Sequence, residues 1–553
     1  MSIRLHKVCT ALASSMLLFM QGSIAATFTL EEATVDDITK AMDAGALSSE
    51  QLVRLYLARI AAYEDGGPTL NAIITLNPNA LKEAATLDRE RKMRGRRGPL
   101  HGIPVLLKDN IDTFDMPTTN GSIVLKNSVP RQDAFIAKAI RDAGGIILGK
   151  ASMGEFAGGS YNTVSGQTIN PYNFKRQTGG SSSGSGAAVS ANLTVLAVGT
   201  DTSTSVRGPS AFTGIVGIRP TTGLISRNGI APKNLNFDSA GPMARTVTDV
   251  ALFLNVLAGG DAADPLSARV WSEETQKYSK YIAAGTTKID YTRFLKSDAL
   301  KGANLGVVRD FFGGDPEIDA LANTAIEKMR ALGARVTEIK LDPEFVEKYL
   351  TSGGRKIREL SDYRFKADWE KYLSTLGPQA PKTVAEFIGI YENVVNKSAL
   401  PVEDSVMRLL KTSLKTSADD PQYRDLIENV LPAATQAKLA IFEKYHVDAL
   451  VFPYQSNFGA PIANPAYSID DPTFVKSDRP QPSILAGYSS VGFPGVVVPM
   501  GFGVQGLPMD ISFFGKPYEE GKLLGFAYAY EQATKMRKPP PLLPPLQGET
   551  IEY

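Results

Sequence analysis

The sequence predicts an α/β protein built as one domain around a mixed β-sheet. Short buried apolar runs alternate with helical segments at both ends of the chain, the pattern of strands covered by helices. The composition, 43% hydrophobic against 21% charged over 553 residues, can bury a large core and excludes disordered or collagen-like classes. No internal repeat is visible, so a stacked-repeat architecture is not expected. Lys and Arg (59) balance Asp and Glu (58), and a formal charge of +1 gives no electrostatic reason to expect nucleic acid as a partner.

Residues 27–98 are expected to be helical. Ser48 and Gln51 form a capping box, and Leu52, Leu55, Tyr56, Ile60 and Tyr63 then fall on one face. Residues 99–260 are rich in Gly, Ser and Thr, with buried strands expected at 103–107, 146–148 and 195–198. A helix over 133–143 would be capped by Asp133 and stopped at Gly144. Residues 262–440 are more charged and read as a helix-rich variable cover or insertion. They carry one βαβ-like piece at 306–308, 317–332 and 336–339. Strands return at 449–452 and 496–498, a helix follows at 522–532, and the Pro-rich run 539–545 reads as extended.

The N-terminus reads as an export signal. Arg4 and Lys7 precede an apolar run over 8–20, and small residues follow at 22–26. Cleavage is expected after Ala25, with Ser23 at the minus-three place, giving a signal of 1–25, a main domain of 26–545 and a C-terminal tail of 546–553. The alternative is a membrane anchor, for which the run is short. Loss of Arg4 and Lys7 takes the formal charge from +1 to −1. The mature protein is expected in the periplasm or the medium, with no stable membrane partner.

The single cysteine, Cys9, lies in that signal, which leaves no disulfide, thiol nucleophile or cysteine metal site. Of three histidines, only His101 and His446 remain. His101 reads as a packed structural residue and His446 as near the surface. Neither has a serine motif beside it, so a base other than histidine is expected, and no metal.

The most informative stretch is 178–219. Three serines between glycine pairs form a loop with a helix start directly behind it over 186–192, an arrangement that presents backbone N–H groups and hydroxyls toward one point. A flexible linker would not be flanked by patterned apolar segments on both sides. The run 144–150 imitates a phosphate-binding loop, but Ala151 stands where a hydroxyl is needed and the glycines precede the strand.

On three blocks the chain resembles the amidase signature family, which includes fatty acid amide hydrolase, bacterial peptide amidases and amidotransferase A subunits. They are GPLHGIPVLLKDNIDT (98–113), GGSSSGSGAA (179–188) and GTDTSTSVRGPSAFTGIVGIRPT (199–221). GQTINPYNF, GPMARTVTDVALFLNVLAG and LLGFAYAYEQAT also match. The resemblance implies a central twisted sheet with helices on both faces. It implies Ser205 as nucleophile, Ser181 as proton relay next to a cis peptide bond, and Lys108 as the base. The backbone N–H groups of Thr202, Ser203, Thr204 and Ser205 would form the oxyanion hole, with Asp201 and Arg207 as structural supports. A lysine base must be neutral to accept a proton, so burial must pull its pKa down by roughly 2–3 units from about 10.4. Glu155 and Phe156 match a segment that lines the substrate channel in relatives, with core packing as the alternative for Phe156. Phe458, Tyr488 and Phe493 are further pocket candidates.

One departure from the pattern concerns the nucleophile turn: Ser203-Thr204 replaces the Gly-Gly of most members. Either the turn is unstrained and the hydroxyls trim the pocket, or catalysis is damaged. The reading that results is an exported hydrolase of linear carboxamides, acting on a small-molecule or peptide amide without a cofactor. The alternatives are a non-catalytic binding protein on the same fold and a subunit of the amidotransferase A type, against which the export signal argues.

Overall fold

An eleven-stranded mixed sheet organises the chain. The structure is a computed structural model and describes residues 26–277, 289–462 and 492–553. The expected export signal and Tyr488 lie outside the described residues. In chain order the strands are β1 (Ile73–Leu76), β2 (Pro104–Lys108), β3 (Ile146–Ala151), β4 (Leu196–Asp201), β5 (Val216–Arg219), β6 (Ser239–Ala244), β7 (Asn304–Val308), β8 (Arg335–Ile339), β9 (Ala449–Pro453), β10 (Gly495–Phe502) and β11 (Pro508–Phe514). Across the sheet they run β8-β7-β9-β11-β10-β5-β6-β4-β2-β3-β1. The β8-β7-β9 and β4-β2-β3 groups are parallel and the pairs between them antiparallel.

The central strands are buried along their whole length because helices flank the sheet, which is why they read as continuous apolar runs rather than alternating ones. The helix α1 (Ser49–Ile60) has its expected capping box: Ser48 Oγ accepts from Gln51 N and Ser48 N donates to Gln51 Oε1. Its buried face holds Leu52, Val53, Tyr56 and Ile60. The helix α2 (Phe135–Asp142) ends before Gly144, whose φ of 84° is the left-handed turn only glycine takes easily. Its start differs from expectation. Ala134 is the N-cap, and the Asp133 carboxylate is drawn off to Phe114 N and to Arg141 Nε at 3.1 Å. An ion pair outcompetes a neutral cap for the same carboxylate.

Two further expectations are corrected. The 262–440 region is not a mere cover, since β7 and β8 form one edge of the main sheet, joined in the expected βαβ unit by the long helix Pro316–Ala331. Two short helices, α3 (Ser183–Ser190) and α4 (Arg207–Thr213), stand at the centre of the sheet, and α5 is the Pro316–Ala331 helix. The helices α6 (Phe365–Thr375), α7 (Val384–Asn393) and α8 (Asp404–Ser413) close a second, smaller hydrophobic core around Trp369, Phe387 and Tyr391.

The C-terminus is not a free tail either. Thr550–Glu552 pairs antiparallel with Thr27–Thr29, and Ala26 and Tyr553 exchange backbone hydrogen bonds of 2.7 Å. Behind this ribbon, Arg59 on α1 is fully buried. It donates to Glu549 Oε2 at 2.9 Å, to Leu543 O at 2.8 Å and to Ala191 O at 3.0 Å. Removing one partner of a buried pair leaves an uncompensated charge. Glu549→Ala is therefore expected to cost about 3–5 kcal/mol, read as a lowered unfolding midpoint, whereas an unchanged midpoint would mean the tail does not stabilise the domain.

Candidate active site

Three segments converge: the C-terminal end of β2, the 178–182 loop leading into α3, and the 202–206 turn between β4 and α4. Helix α3 starts at Ser183, earlier than expected, so only Ser181 and Ser182 remain in the loop. Every one of its residues is buried. Glycine is required at two places here. A Cβ at Gly184 would lie 2.2 Å from Ala72 O, and one at Gly180 would lie 1.7 Å from Gly159 O. The Gly180–Ser181 peptide bond is cis.

Lys108 closes β2 and is fully buried. Its Nζ lies 2.7 Å from Ser181 Oγ, 2.9 Å from Thr200 Oγ1 and 3.2 Å from Thr200 O. Asn110 Nδ2 donates to the same Thr200 hydroxyl at 3.0 Å. All these partners are neutral. Burial pulls the Lys108 amine down to about 7, against the opposing pull of Asp201 and Asp238. The neutral amine is thus available at physiological pH.

The 202–206 turn is tied to the serine loop by Ser182 N, which donates to Ser205 O at 3.2 Å. Ser182 Oγ also braces the end of β4, accepting from Thr200 N at 3.2 Å. The turn itself hangs on Asp201. This buried carboxylate accepts from Val206 N and Arg207 Nε, both at 3.1 Å, and from Arg219 Nη1 at 3.0 Å. Burial alone would raise its pKa, but the Arg207 and Arg219 guanidiniums hold it well below the usual carboxylate range. Among the described residues, no intramolecular acceptor takes the backbone N–H of Thr202, Ser203, Thr204 or Ser205. Four free amides beside a serine can receive a developing negative charge.

None of residues 201–206 has a positive φ, so the Ser203-Thr204 replacement does not strain the backbone. Thr204 Oγ1 is hydrogen-bonded to Tyr454 Oη at 2.8 Å, and Ser203 O accepts from Arg207 Nη2 at 2.8 Å. Thr202 Oγ1 donates to Asp238 Oδ1 at 2.6 Å.

The structure therefore brings Lys108, Ser181 and the Ser205 turn together, with Asp201 and Arg207 bracing that turn. Sequence reading missed Asn110, Thr200, Arg219, Asp238 and Tyr454. Asn110, Thr200 and Arg219 lie inside the same sequence blocks as Lys108 and Asp201 and were the findable ones. Tyr454 follows β9, some 250 positions from Thr204, and nothing local signals the contact.

Phe156 packs edge-on against Trp369 and Phe387, with centroids 5.0 and 5.8 Å away, as core packing requires. Glu155 is buried beside it, accepting from Tyr391 Oη and, at 2.9 Å, from Thr163 Oγ1. Burial pushes its carboxyl up to about 7. Phe493 is fully buried and stacks on Phe514, and Phe458 is also largely buried, so both are core rather than open pocket wall. His101 is buried, its Nδ1 accepting from Arg97 N at 2.9 Å, while His446 ends a helix at the surface. Among the described residues no cluster of three or more His, Cys, Asp or Glu could hold a metal.

Comparison with known proteins gives the family and the fold. The Amidase family profile matches residues 51–524. A probable amidase of Arabidopsis thaliana is 33% identical over 94% of this chain and 93% of its own length. The A subunit of a glutamyl-tRNA(Gln) amidotransferase from Symbiobacterium thermophilum is 35% identical over 90% and 96% respectively. Among solved structures, a peptide amidase in complex with the competitive inhibitor chymostatin superposes with a TM-score of 0.78 at 36% identity, covering 92% of this chain and 99% of that one. The native peptide amidase of Stenotrophomonas maltophilia gives a TM-score of 0.78 at 35% identity, covering 92% and 98%.

Because Asp201 joins two buried guanidiniums to the turn, Asp201→Ala is expected to destabilise the fold by about 3–5 kcal/mol. Chemical denaturation would measure it, and a loss below about 1 kcal/mol would mean the carboxylate is dispensable to the turn.

Proposed function

The chain belongs to the amidase family, and on that footing we propose that it hydrolyses carboxamides through an acyl-enzyme on Ser205, with Ser181 and Lys108 completing a Ser-Ser-Lys triad. Hydrolysis of amide C–N bonds is the family's chemistry; the roles of the three residues are those the resemblance implies, proposed here for this chain. One observation carries it: a buried lysine with a depressed pKa lies 2.7 Å from the hydroxyl of Ser181, whose neighbour Ser182 is hydrogen-bonded to the backbone of Ser205.

In this reading Ser205 Oγ attacks the amide carbon. Its proton passes to Ser181, and the proton of Ser181 passes to the lone pair of Lys108 Nζ. The carbonyl oxygen, now negative, faces the N–H groups of the 202–205 turn, where each donor is worth about 3 kcal/mol of barrier. As the C–N bond breaks, the leaving nitrogen takes a proton back along the same relay. Water then attacks the acyl-serine ester and gives up its proton by the same route. A carboxylate is released and Ser205 is restored. The products are the acid and ammonia or an amine.

The likeness to solved peptide amidases supports small peptide amides as substrates, ahead of aryl and aliphatic amides. Export with cleavage after Ala25 remains part of the proposal. Ala26 takes part in the terminal ribbon, so removal of 1–25 would leave that ribbon whole.

Exposure to a fluorophosphonate is expected to leave one adduct, mapped by mass to Ser205, and Ser205→Ala is expected to abolish turnover with the fold retained. An unlabelled, folded wild type would favour the binding-protein alternative instead. The pH profile follows from Lys108: below about 7 its amine is protonated and cannot accept. We expect kcat/KM to rise with pH through that value and to level off above it. A profile flat down to acidic pH would remove lysine as the base.

A further inference from the structure

A cavity of about 640 Å³ borders the Gly158–Gly159 turn, which packs on the loop that carries Ser181. Two contacts connect it to the reacting groups. The carbonyl of Gly159 abuts Gly180, the residue before Ser181. Lys233, in the cavity wall, also lines a small crevice shared with Thr200 and Thr202. The volume is that of a site for a short peptide or similar small molecule.

The charges in its wall are unevenly matched. Asp362 faces Lys233 and Arg358, and Asp238 also acts on Lys233, so two carboxylates stand against these two cations. Glu359 and Arg408 are exposed at the rim. Glu155 is hydrogen-bonded to Tyr391 and Thr163. Glu403 is different. Its side chain has no hydrogen-bond or ion-pair partner among the described residues, and burial alone raises its carboxyl, with no cation opposing. It is the N-cap residue of α8, but its side chain makes no capping hydrogen bond. Instead its Oε2 lies over Gly159, 3.6 Å from where a Cβ would stand. The preceding segment is fixed there by Tyr161 Oη, which donates to Pro401 O at 3.0 Å. A half-buried carboxylate held without a partner in a cavity wall is a cost that a bound cation would relieve.

We propose that this cavity receives the end of the substrate remote from the scissile bond, and that Glu403 selects substrates carrying an ammonium group there. The inference rests on the amide-hydrolase reading and narrows its substrate class. A short peptide amide fits this chemistry: amidation removes its carboxylate, leaving the N-terminal ammonium as its backbone charge. Glu403 acts on binding, so its effect belongs in KM rather than kcat.

The test compares a dipeptide amide with a free α-ammonium against its N-acetyl counterpart, at pH 7, on the full-length mature protein. The free-amine substrate is expected to show a KM about tenfold lower, the worth of one charge-assisted contact. In Glu403→Gln that ratio should collapse toward one, and in Glu403→Lys it should invert. Equal KM values in the wild type, or a ratio untouched by Glu403→Gln, would overturn the proposal. The same two ligands, tested for protection of Ser205 from the fluorophosphonate, separate this failure from that of the parent reading. Labelling without differential protection removes the role of Glu403 and leaves the hydrolase standing. Absence of labelling removes the hydrolase, and calorimetric titration of the two ligands into wild type and Glu403→Gln then decides the cation preference on binding alone.

Discussion

The site depends on burying one amine among groups that do not charge it. Lys108 ends β2 inside the sheet, where an ammonium would cost far more than a neutral amine. The contrast with Lys150 on the adjacent strand shows what the partners decide. Lys150 is equally buried, but its Nζ lies 3.4 Å from Asp109 Oδ1 and donates to Thr118 Oγ1 at 2.8 Å. Desolvation lowers its pKa as well, but there a counter-ion beside the amine, Asp109, opposes the shift. Lys108 has only hydroxyls and a carbonyl within hydrogen-bond reach, so desolvation prevails and the amine is free to take a proton.

That balance requires restraint from the carboxylates nearby. Asp201 pulls the Lys108 pKa upward, against the larger effect of desolvation. Arg207 and Arg219 both bond to Asp201, so its charge is balanced locally. The same three side chains hold Val206 N, Ser203 O and the carbonyl of Asp201, which sets the geometry of the turn bearing Ser205. One buried cluster thus performs two tasks: it shapes the anion-accepting turn and limits the field at the proposed base.

Much of this was legible in the sequence because it is local. The buried strands read as apolar runs, the βαβ unit as two short apolar runs around a helical segment, and the serine-glycine loop as a place where backbone donors converge. What was not legible involves contacts between distant segments or competition for one group. Asp133 has the chemistry of a helix cap, but Arg141 claims it through the ion pair. The Pro-rich end looks extended and free, yet Arg59 draws Leu543 O and Glu549 into the interior. Phe156 lies in a segment that suggested a channel and does border a cavity, but the aromatic rings it packs against come from α6 and α7, whose positions no local pattern could supply.

The Ser203-Thr204 pair shows how a departure from a family pattern can be absorbed. Glycines in such a turn allow positive φ and close approach, at the cost of a more flexible backbone. Here φ stays negative, so the freedom of glycine is not used. The side chains add what glycine could not. Thr204 reaches Tyr454 at the end of β9, and the ring of Tyr454 lies 5.5 Å from the Arg207 guanidinium. The turn is thereby linked to a strand on the opposite half of the sheet as well as to Asp201. Held from two directions, the backbone amides of 202–205 keep their orientation without glycine, and that favours an ordered, anion-accepting turn over a damaged one.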